Sequence, residues 1–241
     1  MTALLAFDTA TERLAIGVAR DERQWTHEGE GGAQASAALI PALRALLATA
    51  GVGLADLDAI AFGRGPGAFT GLRTACAVAQ GLAFGAGKPV LPIDTLLIVA
   101  EDARSLAGVD AGTDFEVWAL LDARMDQIYA ARYLHRGDSW RLLDAPALTD
   151  CEALGRRWRE EPPLAVAGNA LAAFADRLPT GTARRIDAAA PRAAPLLRLA
   201  GESWRAGAGV RPADALPLYV RDKVAQTTAE RDAARVAGAA R

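Results

Sequence analysis

The segment Asp8-Thr9-Ala10-Thr11 puts a carboxylate and two hydroxyls into one turn, directly after an apolar run. Such a set could hold a phosphate or a divalent cation. It could equally cap a tight turn, because Asp and Thr side chains bond to nearby backbone N–H groups. Close approach of a backbone to a phosphate usually requires Gly, and Ala10 stands there instead, so the turn-capping reading is preferred. Gly168, in Val166-Ala167-Gly168-Asn169-Ala170, has the same two readings: a second phosphate grip, or a sharp turn from a strand into a helix. Asp8, Thr9, Thr11 and Gly168 are thus weak cofactor-binding candidates, and no bound cofactor is expected.

The longest Gly-rich stretch is Gly63-Arg64-Gly65-Pro66-Gly67-Ala68-Phe69-Thr70-Gly71-Leu72-Arg73, between a strand pattern and a helix pattern. Free N–H groups at a helix start attract anions. No Lys-Ser/Thr follows the glycines, however, and their spacing is not that of a dinucleotide fingerprint. The helix behind it carries Gly71, Ala75, Ala79 and Ala83 at four-residue spacing, with Ala77 and Gly81 beside them. Small residues so arranged let a second helix approach closely, whether a partner's or the chain's own neighbour.

Hydrolytic chemistry finds little to work with. Metal hydrolases generally use three protein ligands with His prominent, and His27 and His135 lie apart in strand-like segments that suit surface or edge positions. Neither Cys76 nor Cys151 has a neighbouring His to act as base. Catalytic residues and metal ligands are therefore not expected, and both thiols are expected to be reduced. The acidic pairs Asp56/Asp58, Glu101/Asp102 and Glu160/Glu161 sit near element ends and read as solvated charges. Asp122 and Arg124 suit either an ion pair that fixes a hairpin or a contact to a partner or nucleotide.

The elements that must position these residues follow from periodicity. Strand-length apolar runs at 3–8, 14–20 and 24–28 precede a helix at 33–50, in which Leu39, Leu43, Leu46 and Leu47 share a face and Pro41 must start or kink it. A strand (57–62), the Gly-rich loop, a helix (72–84), a strand (90–93) and a helix (95–105) come next. After a linker at 108–113 the order repeats: strands at 116–121, 127–134 and 140–143, a helix (150–159), a strand (164–167), a helix (171–178), a short strand (184–187) and a helix (195–206). The expectation is an α/β fold of two halves, 1–107 and 108–222, each βββαβαβα, with a basic tail at 223–241. A strand meander followed by alternating helices and strands, made twice, is the arrangement of the actin-like ATPase (ASKHA) superfamily.

With 51% hydrophobic residues, 241 residues suffice for a well-buried core. A net charge of -2 argues against a free-standing polyanion binder. Lys occurs only at Lys88 and Lys223. The N-terminus reaches Asp8 too soon for a signal peptide, and uncharged stretches fall short of the ~20 residues of a spanning helix. A soluble cytoplasmic protein without membrane contact is expected. Arg221, Lys223, Arg231, Arg235 and Arg241 make the tail basic; it is either a frayed terminus or an arm that touches phosphates within an assembly.

Several segments together resemble the TsaB (YeaZ) family: Leu5-Ala6-Phe7-Asp8-Thr9-Ala10-Thr11, Ser36-Ala37-Ala38-Leu39-Ile40-Pro41, the whole run from Gly63 to Arg73, Leu121-Asp122-Ala123-Arg124 with Ile128-Tyr129-Ala130, and Leu216-Pro217-Leu218-Tyr219-Val220-Arg221. The resemblance covers nearly the whole chain. It implies the actin-like fold and a scaffold role in making N6-threonylcarbamoyladenosine beside the anticodon of tRNA. In that system TsaC makes the threonylcarbamoyl adenylate, TsaD carries the metal and transfers the group, and the ATPase TsaE joins the pair of TsaB and TsaD. By that resemblance the partner surface is built from the first two helices, with Leu39, Leu43, Leu46, Arg64, Phe69, Leu72, Ala75, Ala79 and Leu82 as contact residues. A homodimer is expected when the chain is alone. Many family members carry His where this chain has Ala35, a departure that weakens catalytic readings and leaves the scaffold reading untouched. The competing reading is an independent actin-like ATPase or nucleotide-binding protein.

Overall fold

The fold comes from a computed structural model, which describes residues 2–110 and 112–221. The first half runs β1 (Ala3–Asp8), β2 (Arg13–Arg20), β3 (Arg23–Glu30), α1 (Ala35–Ala50), β4 (Ala59–Gly65), α2 (Phe69–Ala86), β5 (Val90–Asp94) and α3 (Thr95–Leu106). The second runs β6 (Phe115–Asp122), β7 (Ile128–Arg136), β8 (Ser139–Thr149), α4 (Cys151–Glu160), β9 (Ala165–Ala167), α5 (Ala170–Phe174), β10 (Arg184–Ile186) and α6 (Ala193–Arg205). Each half makes one five-stranded sheet, ordered β3-β2-β1-β4-β5 and β8-β7-β6-β9-β10. In both, the first three strands pair antiparallel and the last two add parallel. The expected duplication is therefore present, strand for strand.

β1 is buried along its whole length because it is a central strand covered on both faces. Leu5 and Phe7 point to the side of α1 and α2, in one cluster with Leu39, Leu43, Ala75 and Ala79. Leu4 and Ala6 point to the other side, against Leu196, Leu197 and Ala200 of α6. Thus the last helix of the second half covers the first sheet. It lies so close that a Cβ on Gly17 would stand 2.6 Å from Leu197. Reciprocally, Leu96, Val99, Ala100 and Ala103 of α3 pack with Val117, Ala119 and Tyr133 of the second sheet. The boundary expected after residue 107 falls in the α3–β6 connection, yet each half closes its core with the other's last helix.

This exchange corrects the reading of Glu101 and Asp102 as solvated charges: they are 1% and 5% exposed. Glu101 accepts two hydrogen bonds from Arg104, one from Arg198 Nε of α6 at 2.6 Å and one from Trp140 Nε1 of β8 at 3.1 Å. Asp102 accepts from Ala190 N at 2.9 Å and pairs with Arg192. Buried carboxylates persist when paired in this way, and these two fasten α3 to α6.

Boundaries shift where packing overrides local pattern. β4 continues to Gly65 and α2 begins at Phe69, so the Gly-rich loop is shorter than expected. β8 spans 11 residues, well beyond the 140–143 expected, because pairing with β7 carries it through Pro146 at the sheet edge. Pro41 lies inside α1, exposed, and does not end it. Cys76 and Cys151 are both free. Among the described residues, no helix is long and apolar enough to cross a membrane. Residues 222–241, with the expected tail, lie outside the described residues.

Candidate functional site

Asp8 ends β1 and is 1% exposed. Its Oδ1 accepts from Ala10 N at 2.7 Å, and its Oδ2 accepts from the Thr95 hydroxyl at 2.7 Å. Thr9, fully buried, donates its hydroxyl to Gly71 O at 2.8 Å, and Ala68 N donates to Ala10 O at 2.7 Å. The 8–11 turn is therefore clamped against the Gly-rich segment. A Cβ on Gly63 would fall 1.6 Å from Asp8 Oδ2, and one on Gly71 would fall 1.9 Å from Thr9 O. Gly71 allows two backbones to touch and Gly63 leaves room for the Asp8 side chain, so the space both provide is taken up within the chain. The cofactor reading is corrected accordingly for Asp8 and Thr9, whose polar atoms are used internally. Gly168, at φ 112, would place a Cβ 2.1 Å from Leu120 O, so it too serves a close backbone crossing. Thr11 alone of the four lines the cleft between the halves.

Burial pushes the Asp8 carboxyl up from 3.8 to about 6, against the opposing hydrogen bonds from Ala10 and Thr95. The folded chain thus holds a proton there at pH values where the unfolded chain has lost it. Stability from this group is complete below about 4 and is lost as pH rises through about 6. An Asp8→Asn chain, unable to ionise, is expected to exceed wild type by roughly 1–3 kcal/mol at pH 8, with the gap closing toward pH 4. Urea unfolding across that range measures it, and parallel curves would show that Asp8 ionises without penalty.

The cleft itself is small, about 230 Å3, below the roughly 300–1,000 Å3 of small-molecule sites. The chain's own C-terminal segment lines one side of it. Leu218 N donates to Arg64 O at 2.7 Å, the Tyr219 ring packs on Phe69 at 5.4 Å, and Arg221 donates to Ala123 O at 2.9 Å. Arg73 lies over Phe69 and donates to the Tyr219 hydroxyl at 3.2 Å. Across the mouth, Arg124 joins Asp122 of its own hairpin to Glu12 of the first half, at 3.3 and 3.0 Å. The ion-pair reading of Asp122 and Arg124 is the one seen: the pair fixes the hairpin, and Arg124 also reaches the opposite half of the same chain. His27 is exposed on β3, but His135 is 3% exposed, which corrects its surface assignment. Among the described residues, no group of three or more His, Cys, Asp or Glu side chains could hold a metal ion.

The partner face needs a correction of register. Leu39, Leu43, Leu72, Ala75 and Ala79 are 0–2% exposed, directed into the chain's own core. The sheet takes the apolar side of each helix, so the stripe expected to meet a partner meets β1 and β4 instead. Leu46, Phe69 and Leu82 are half-buried, and Arg64 pairs with Asp94 at 2.5 Å, away from the helical face. What α2 shows to solvent is Ala77, Gly81 and Gly85, a second four-residue stripe two positions along, beside Phe84 at 82% exposure. Cβ atoms built on Gly81 and Gly85 meet nothing within 4 Å. Next to this stripe, Ile40, Leu54 and Leu82 edge an apolar groove of about 300 Å3 whose floor is Leu43 and Leu47. Ala77 and Gly81 stood out in the sequence beside the first stripe; only the sheet shows that they, with Gly85, form the face that points outward.

Two halves of one topology around a cleft define an actin-like ATPase fold, here with the cleft narrowed by the chain's own C-terminal segment. A family model described as "TsaD: tRNA N6-adenosine threonylcarbamoyltransferase" matches residues 25–196. The proteins named tRNA threonylcarbamoyladenosine biosynthesis protein TsaB from Haemophilus influenzae and Escherichia coli are 32% and 30% identical, over 92% of this chain and 94% and 96% of theirs. The solved structure of YeaZ from Pseudomonas aeruginosa superposes with a TM-score of 0.81 at 37% identity, covering 91% of this chain and all of that one. The chain belongs to the TsaB (YeaZ) family.

Proposed function

We propose that this chain works in tRNA threonylcarbamoyladenosine biosynthesis as a non-catalytic subunit that pairs with TsaD and is joined by TsaE. Its task is to support threonylcarbamoyl transfer to the tRNA adenosine next to the anticodon. The names of its relatives support the pathway. The observation that carries the subunit reading is the pairing of a small cleft, narrowed by the chain's own C-terminal segment, with an uncovered helical face. Asp8, which an ATPase of this fold would need for Mg2+, has both carboxylate oxygens bonded internally. Meanwhile Phe84, Ile40 and the Gly81 stripe form an apolar face of the kind that protein partners cover. ATP is used by the partner proteins and not by this chain, tRNA is met through the complex, and the setting is the cytoplasm. The first half, 1–107, carries the partner face.

The same face is expected to drive a homodimer when TsaD is absent, so that the two assemblies compete. Light scattering of the isolated chain should report a dimer that TsaD dissociates; a strict monomer would remove the self-association. The decisive experiment is reconstitution of transfer with TsaC, TsaD and TsaE, with and without this chain, beside its own ATPase assay. Modification that requires the chain, with no ATP turnover by the chain alone, is the expected result. Unaffected modification, or clear hydrolysis by the isolated chain, would establish the independent ATPase instead.

A further inference from the structure

A second crevice, of about 820 Å3, lies where the β7–β8 hairpin and α6 meet the end of β5. Neither the proposed partner face nor the cleft between the halves uses it. Its wall is apolar at Trp140 and Leu199, and its polar groups carry both signs: Arg64 and Arg205, Asp138 and Glu202. Arg64 is the one charged residue at the start of the Gly-rich run. Only its Nε is engaged, by Asp94, which leaves its terminal amino groups available. Asp138, Glu202 and Arg205 have no side-chain hydrogen bond or ion pair among the described residues.

Behind this surface stand two orphaned polar groups. His135, which lines the crevice, is 3% exposed with an unpartnered Nδ1, and Tyr133, two residues earlier on the same face of β7, is 2% exposed with an unpartnered hydroxyl. Their rings pack on Trp140 at 5.0 and 6.3 Å. Buried polar atoms in a native protein nearly always have partners, and those that lack one mark strain, function or a bound species. Charged groups of opposite sign with hydrogen-bonding capacity to spare, on an apolar wall in a crevice of this volume, are the features of a small-molecule site.

We propose that this crevice binds a small amino acid, with its carboxylate on Arg64 and Arg205, its ammonium on Asp138 and Glu202, and its side chain against Trp140 and Leu199. His135 backs the site as a neutral hydrogen-bonding group. Burial followed by the charge of Glu101 pushes the Glu202 carboxyl up against the charges of Arg205, Arg104 and Arg198, and a bound ammonium would relieve the penalty that remains. Burial pushes His135 down, so that it does not repel that ammonium at neutral pH. The site goes beyond the subunit role and stands or falls separately from it.

The test uses the full chain without partners. Each of the common L-amino acids is screened by thermal shift at about 10 mM, and calorimetry then follows the best. At least one is expected to raise the melting temperature. Its decarboxylated amine and its deaminated acid should each bind about tenfold more weakly or worse, as should the parent amino acid to Glu202→Gln and to Arg205→Ala. Circular dichroism should show both variants folded. No shift with any amino acid, equal binding of the amine or acid alone, or unchanged affinity in both variants would overturn the proposal.

Discussion

A Gly81→Arg chain is expected to fold normally and to fail to pair with TsaD, while Ala79→Arg, two residues away on the same helix, is expected not to fold. Gly81 is exposed and its Cβ direction is empty, so the guanidinium enters solvent and the helix gains about 1 kcal/mol of propensity over Gly. Placed beside Phe84, it sets a solvated charge in the middle of an apolar face that must dry on association. Ala79 is fully buried in a cluster with Leu39, Ile60 and Phe62. An unpaired guanidinium there costs several kcal/mol, against a total stability of roughly 5–15. Size-exclusion with TsaD and a thermal melt separate the two. Normal pairing by Gly81→Arg would move the partner face elsewhere, and a normally folded Ala79→Arg would mean that the core stripe had been misplaced.

The second large effect is at the clasp between the halves. Glu101→Ala removes the acceptor shared by Arg104, Arg198 and Trp140, leaving Arg104 Nε and Nη2 and an indole N–H partly buried without a partner, while Arg104 keeps only its bond to Val109 O. About 3–5 kcal/mol should be lost, which for a chain of this size lowers the melting temperature by roughly 10 °C. Burial alone would raise this carboxyl, but hydrogen bonding from Arg104 and the charge of Arg198 outweigh it and hold it below its ordinary range. Its folded value being depressed, the group's contribution is present above the unfolded value and is lost as pH falls through the folded one. The wild type should therefore lose this increment in acid while Glu101→Ala has none to lose. Equal melting temperatures at pH 7 would refute the clasp.

Much of the architecture was legible before any coordinates. β1 and β4 read as strands because central strands covered on both faces need continuous apolar runs, and the duplicated order followed from strand-length and helix-length periods. The site was legible only in part. The Gly-rich run stood out by composition, yet its physical purpose, contact with the 8–11 turn some 60 residues earlier in the chain, depends on pairing of β1 with β4. The buried character of Glu101 and Asp102 was invisible for a related reason: their partners on α6 lie about 90 residues further on.

By itself the sequence determined the fold class, the family and the shortage of hydrolytic ligands, because hydrophobic period, turn chemistry and residue inventory are local properties of the chain. Tertiary structure decided which of two small-residue stripes on α2 meets solvent, why the cleft is narrow, and which charges are buried. A helix has several faces of similar composition, and only the sheet, α6 and the returning segment around Tyr219 determine which of them is covered.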